Sequence, residues 1–156
     1  MKEIKLILSL VIILAMSNSA NAQIAPVDNN KVAIGGYDVV SYFSGEAKRG
    51  FESFSTQNNG VTYYFHTKAN RATFKKSPNR YLPQFGGFCA WGVGAKSTKF
   101  PIDPESYDIK DGKLYLFFNA PFNGKQFSTI LDWNARTTEL HKAAHKNWPK
   151  VKNIKK

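Results

Sequence analysis

Cys89 is the chain's one cysteine, and Gly86, Gly87 and Phe88 precede it in a segment crowded with aromatics. A thiol beside a glycine pair can be approached closely by a metal, a ligand or another stretch of backbone. One thiol cannot form an internal disulfide. Cys89 is therefore a buried small hydrophobe, an intermolecular partner or a functional thiol. Phe85, Gly86, Gly87, Phe88 and Trp91 surround it in sequence and are the candidate walls of an apolar ligand pocket. The competing reading gives those aromatics to the core, which a small domain without disulfides needs. A second constellation is His141 and His145, four apart and so on one face of a helix. That spacing can grip Zn²⁺ or Cu²⁺, but no glutamate follows the first histidine as in zinc proteases, and Lys142 and Lys146 flank the pair. Two solvent-edge histidines are the better reading from sequence.

The elements that position these residues begin after a targeting signal. Lys2 and Lys5 precede an apolar run over residues 4–16, and Ala20-Asn21-Ala22 has the small-x-small pattern of a cleavage site. Residues 1–22 read as a secretory signal peptide cut before Gln23. The apolar run is too short for a transmembrane span, so the mature form is expected to have none and to be periplasmic or secreted. The 156-residue chain has a net charge of +11, and removing two lysines and a glutamate with the signal leaves 134 residues and +10. That length suits one domain. Between residues 141 and 156 lie six lysines and no acid. Such a face suits anionic envelope polymer or plain solubility. No nucleic-acid motif accompanies it, which argues against nucleic acid as the partner.

Residues 23–31 form a polar leader, and Asp38 stands where it would cap a short helical turn over Val39 to Phe43. Runs at 51–55 and 61–65 flank Asn59-Gly60, and runs at 107–109 and 114–118 flank Asp111-Gly112. Both patterns predict β-hairpins. Thr67 predicts the cap of a helix over 68–76, ended by Ser77-Pro78. The glycine-rich stretch 83–100 reads as loop around the thiol. Ile130, Trp133, Thr137, Leu140, Ala144 and Trp148 recur in steps of three and four, predicting one amphipathic C-terminal helix ended by Pro149. Residues 150–156 read as a frayed basic tail. Asp38, Asp103 and Asp111 each lie beside turn chemistry and read as caps, not as an acid/base pair. The fold class is α+β, with small antiparallel hairpins packed on short helices.

The series Ala33-Ile-Gly-Gly-Tyr-Asp-Val-Val-Ser-Tyr-Phe43, Thr62-Tyr-Tyr-Phe65, Asn70-Arg71, Phe74, Pro78, Tyr81-Leu-Pro-Gln-Phe-Gly-Gly-Phe-Cys-Ala90, Asp103-Pro104, Asp111-Gly-Lys-Leu-Tyr-Leu116 and Asn147-Trp148 resembles the small exported branch of the YHS-domain family. No single piece is diagnostic; the ordered series is what carries the likeness. The resemblance covers residues 32–149 and implies a small α+β domain. Short YHS domains attached to metal-transporting ATPases look like metal sensors or carriers, with a thiol where this chain has His66. The resemblance thus implies a site at Cys89 and His66 holding copper or zinc, with thiolate and imidazole as ligands. Two ligands fall short of a structural site, so water or another residue would complete it. A Cys89–His66 nucleophile pair oriented by Asp103 is the enzymatic alternative, but nothing in the sequence supplies an oxyanion hole or substrate pocket. The expectation is a non-enzymatic protein binding a transition-metal ion or small ligand near Cys89. The alternatives are a basic protein binding envelope polyanions and, third, a cysteine-dependent enzyme.

Overall fold

Asn59-Gly60 and Asp111-Gly112 are hairpin turns, as their sequence predicts. In a computed structural model, which describes residues 23–155, φ is 50° and 76° at the first pair and 52° and 68° at the second. Two successive left-handed residues form the tight turn whose twist matches the flanking strands. β1 (Phe51–Asn58) pairs antiparallel with β2 (Val61–Phe65), and β3 (Asp103–Lys110) with β4 (Lys113–Phe117). A third hairpin, β5 (Asn119–Phe122) with β6 (Lys125–Ser128), turns at Asn123-Gly124. Sequence reasoning missed it because Pro121 interrupts the strand pattern. In a two-stranded ribbon the absent proline N–H is tolerated, and Pro121 sits opposite Gln126. The fold is α+β, with three small antiparallel sheets and five helices among the described residues. The segment read as an export signal, residues 1–22, lies outside the described residues.

The helices follow the predicted caps in part. α1 (Lys68–Lys76) begins as expected, with the Thr67 Oγ1 accepting from the Asn70 N–H at 3.0 Å. α2 (Pro78–Tyr81) is a single turn opened by Pro78, whose fixed φ suits a first helical position. α3 (Ala90–Lys96) occupies the stretch expected to be loop. Gly92 and Gly94 lower helix propensity, and packing explains their presence. A Cβ at Gly94 would lie 2.7 Å from the Leu140 carbonyl oxygen, and one at Gly92 would lie 3.0 Å from Phe100 Cγ. The absent side chain of Gly94 lets α3 press against the C-terminal helix, and that of Gly92 makes room for Phe100.

The expected single C-terminal helix is two. α4 (Thr129–Ala135) and α5 (Thr137–Val151) meet at Arg136, whose φ of −129° and ψ of 30° break the helix. Pro149 does not end α5. It withholds an N–H only from the last turn, while Val151 beyond it is buried. Lys99 Nζ donates to the carbonyls of Lys152 at 2.9 Å and Ile154 at 2.7 Å, so the basic tail is tied down as far as Ile154. The leader is also docked. Ile24 exchanges backbone hydrogen bonds with Ile102 at 2.9 Å, and Pro26 is buried. The folded unit therefore extends beyond residues 32–149 at both ends.

Leu114, Tyr115, Leu116 and Phe117 are buried consecutively, so both faces of β4 are covered. Phe85 and Trp133 pack on Tyr115 with ring centroids 5.8 and 5.5 Å away. Of the predicted helical stripe, Trp133, Leu140 and Ala144 are buried, while Ile130, Thr137 and Trp148 are half-buried. No helix among the described residues is long and apolar enough to cross a membrane.

Candidate functional site

Cys89 is the N-cap of α3 and has no exposed surface. Its Sγ lies 3.4 Å from the Gly92 N–H, 3.3 Å from the Phe118 N–H and 3.4 Å from Thr129 Oγ1. The Thr129 hydroxyl can donate its one proton to the Phe118 carbonyl at 2.9 Å. With that proton so placed the Cys89 S–H donates to Thr129; with the hydroxyl turned to the sulfur, Thr129 is the donor. Burial pushes the Cys89 pKa up, and the hydrogen bonds from Thr129, Gly92 and Phe118 only partly oppose it. The thiol thus joins α3, α4 and the start of the β5–β6 hairpin.

This environment predicts an inert thiol. A disulfide reagent at pH 7.5 should modify native Cys89 far more slowly than the unfolded chain, because only the accessible thiolate attacks. The raised folded pKa also sets a sign. The group's contribution to stability is full below the unfolded thiol's pKa of about 8.5 and is lost as pH rises toward the folded value. Complete reaction of native protein within seconds would contradict the burial.

His66 sits at the end of β2, with Nδ1 3.0 Å from the Arg49 carbonyl oxygen and its ring 5.4 Å from that of Phe51. Its backbone N–H donates to Asp38 Oδ2 at 2.8 Å. Asp38 is a cap, as expected, and also a clasp. Oδ1 accepts from the N–H of Val40 at 2.8 Å and of Ser41 at 3.3 Å, and Oδ2 also accepts from Asn70 Nδ2 at 2.7 Å. Asp103 likewise serves structure, accepting from the Glu105 N–H at 2.9 Å and from Asn119 Nδ2 at 3.1 Å. Among the described residues Cys89 and His66 share no hydrogen-bond partner. Among the described residues no three His, Cys, Asp or Glu side chains gather where they could hold one metal ion.

The expected pocket residues divide. Phe85 is core, packed between Tyr115 and Trp148. Gly87 lies against Pro26 and Pro83, and Gly86 borders a cleft of about 270 Å³ with Pro26, Leu82 and Tyr63. Phe88 is half-buried, with Lys99 Nζ 5.2 Å from its ring. Trp91 alone of the five lines the aromatic cavity beside Cys89. That cavity has a volume of about 570 Å³, within the usual range of small-molecule sites. Phe100, Phe118, Phe122 and Phe127 form its other aromatic walls, and among the described residues Lys96 is the only charged one bordering it. The Trp91 and Phe127 rings meet edge to face at 5.5 Å. Trp91 is fixed from behind, its Nε1–H donating to Asp132 Oδ2 at 2.6 Å. Asp132 is held in turn by Arg136 at 3.1 Å. Two walls, Phe122 and Phe127, come from the β5–β6 hairpin that sequence reasoning missed, and Phe118 immediately precedes it. The signal that could have found it was Asn123-Gly124 between Phe122 and Phe127.

His141 and His145 do lie side by side on α5, their rings 4.6 Å apart, and both face Tyr115. No protein-family model, curated protein or solved structure matches this chain.

Proposed function

We propose that this chain is a non-enzymatic carrier, exported from the cytoplasm, that binds a small aromatic or otherwise apolar anion in the cavity beside Cys89. The observation that supports this reading is the cavity's composition: five aromatic rings and one lysine. Aromatic walls favour flat apolar ligands, and each buried aromatic contact adds to affinity beyond area alone. Lys96 lies at the rim, with Nζ 5.6 Å from the Trp91 ring centroid. The exposed Lys96 side chain is close enough to meet an anionic end. Phe122 is 59% exposed, an apolar surface that a ligand would cover. Phe118 connects the cavity to Cys89, since its ring lines the one and its N–H bonds the other.

The test is calorimetric titration with 1-naphthoate and with its neutral alcohol. Naphthoate should bind, and the alcohol should bind more weakly. Lys96→Glu and Phe122→Ser alter exposed side chains, so both should fold. Each should weaken naphthoate about tenfold, equivalent to about 1.4 kcal/mol. No binding at millimolar naphthoate, or equal affinity in wild type and both variants, would refute the reading.

A further inference from the structure

The sequence offers His141 and His145 as an i, i+4 pair, and the fold supplies what the sequence could not show. Tyr115, on the neighbouring hairpin, directs its hydroxyl at both imidazoles. Its Oη lies 2.8 Å from His141 Nε2 and 3.4 Å from His145 Nε2. One phenolic oxygen and two imidazole nitrogens thus converge from two elements. We infer that His141, His145 and Tyr115 form a binding site for a borderline divalent transition metal, Zn²⁺ or Cu²⁺. The inference does not depend on the aromatic cavity, which involves none of these residues.

The two distances from the Tyr115 oxygen suit the ion. Nitrogen and oxygen ligands about 2.0–2.1 Å from a tetrahedral Zn²⁺ lie about 3.3 Å from one another. The Tyr115–His145 spacing already has that value, and the Tyr115–His141 contact must open by about half an ångström, exchanging a hydrogen bond for coordination. Two imidazoles and a phenol oxygen select Zn²⁺ or Cu²⁺ over Mg²⁺ or Ca²⁺, which prefer all-oxygen sites. His145 is exposed, so solvent reaches the fourth position, and the site is exchangeable rather than structural.

The surrounding groups define the electrostatics. Burial, His145 and Lys110 push the His141 pKa down, with Asp111 opposing. Burial, Asp111 and Asp108 push the Tyr115 phenol up. A bound cation reverses that preference, and the two carboxylates then favour the ion. Lys110 opposes it, as do Lys142 and Lys146 from exposed positions on α5. The Trp133 ring lies tilted against Tyr115 at 5.5 Å and meets His141 edge to face at 6.1 Å, and so serves as a reporter.

Metal-free protein is titrated with Zn²⁺ by calorimetry, and with Cu²⁺ by tryptophan fluorescence and electron paramagnetic resonance. The expected result is one ion per chain, quenching of tryptophan emission and a Cu²⁺ spectrum showing two nitrogen ligands. His145→Ala changes an exposed side chain and should keep the fold while weakening Zn²⁺ at least about tenfold. Tyr115→Phe keeps the buried ring and should weaken it several-fold. His66→Ala and Cys89→Ser should leave it unchanged. Absence of binding overturns the inference, as does Zn²⁺ affinity unaltered in both His141→Ala and His145→Ala. Loss of binding in His66→Ala or Cys89→Ser with retention in His145→Ala also overturns it and moves the ion to that other pair.

Discussion

Asp38→Ala should destabilise the protein by about 2–5 kcal/mol, because several buried donors lose their acceptor together. Asp38 has no exposed surface, and its carboxylate serves four donors from three parts of the chain. Val40 and Ser41 belong to the turn it caps, His66 ends β2, and Asn70 lies in α1. Truncation strands these N–H groups where water cannot easily replace the acceptor, at about 1–3 kcal/mol for each group left unsatisfied. No lysine or arginine pairs with Asp38 among the described residues, so no cation is orphaned in return. Asp38→Asn keeps the shape but sets an amide N–H₂ against existing donors, and should recover only part of the loss. Urea unfolding with an unchanged denaturant slope measures both variants. A loss below about 1 kcal/mol for Asp38→Ala would mean that water enters and satisfies the donors.

Asp38 also shows how far the sequence could be read. Its capping of Val40 and Ser41 is local, and local chemistry is legible: Thr67 at the start of α1, Asn59-Gly60 and Asp111-Gly112 at the turns, the stripe of Trp133, Leu140 and Ala144 on the C-terminal helices. Its grip on His66 and Asn70 spans 28 and 32 residues, and no spacing rule reaches that distance. The same limit explains α3. Gly92 and Gly94 read as loop because propensity is local, whereas their role is close approach to Phe100 and Leu140. It also explains the two candidate sites. Trp91 was legible as a pocket residue from its place beside Cys89, but the cavity needs Phe122 and Phe127 from a hairpin disguised by Pro121. The His141–His145 pair was legible as a helical face. Tyr115, 26 residues earlier, becomes relevant only when β4 packs against α5. The basic charge of α5 argued for a plain solvated face, and the tyrosine gives two of its residues a common target.

Trp133→Ala should cost about 3–5 kcal/mol, the range for truncating a buried aromatic and leaving a cavity. The side chain is fully buried between β4 and α5, with ring centroids 5.2 Å from Phe117, 5.5 Å from Tyr115 and 6.1 Å from His141. Its Nε1–H donates to Asp108 Oδ2 at 3.3 Å, so the one polar atom is satisfied. Trp148, at the far end of the same stripe, is half-buried and should cost less when truncated. Trp133→Phe separates the two contributions: it loses the indole hydrogen bond and part of the volume while keeping an aromatic against Tyr115. Its cost should therefore be smaller than that of alanine. The neighbouring residue gives the result a second use. Asp132 orients Trp91 at the aromatic cavity, whereas Trp133 backs Tyr115 and His141, so α4 presents adjacent residues to the two candidate sites. In folded Trp133→Phe protein, Zn²⁺ affinity should fall because Tyr115 and His141 lose their support. Naphthoate affinity should stay unchanged, since Trp133 does not line that cavity. Equal losses for both ligands would show instead that the substitution loosens α4 as a whole.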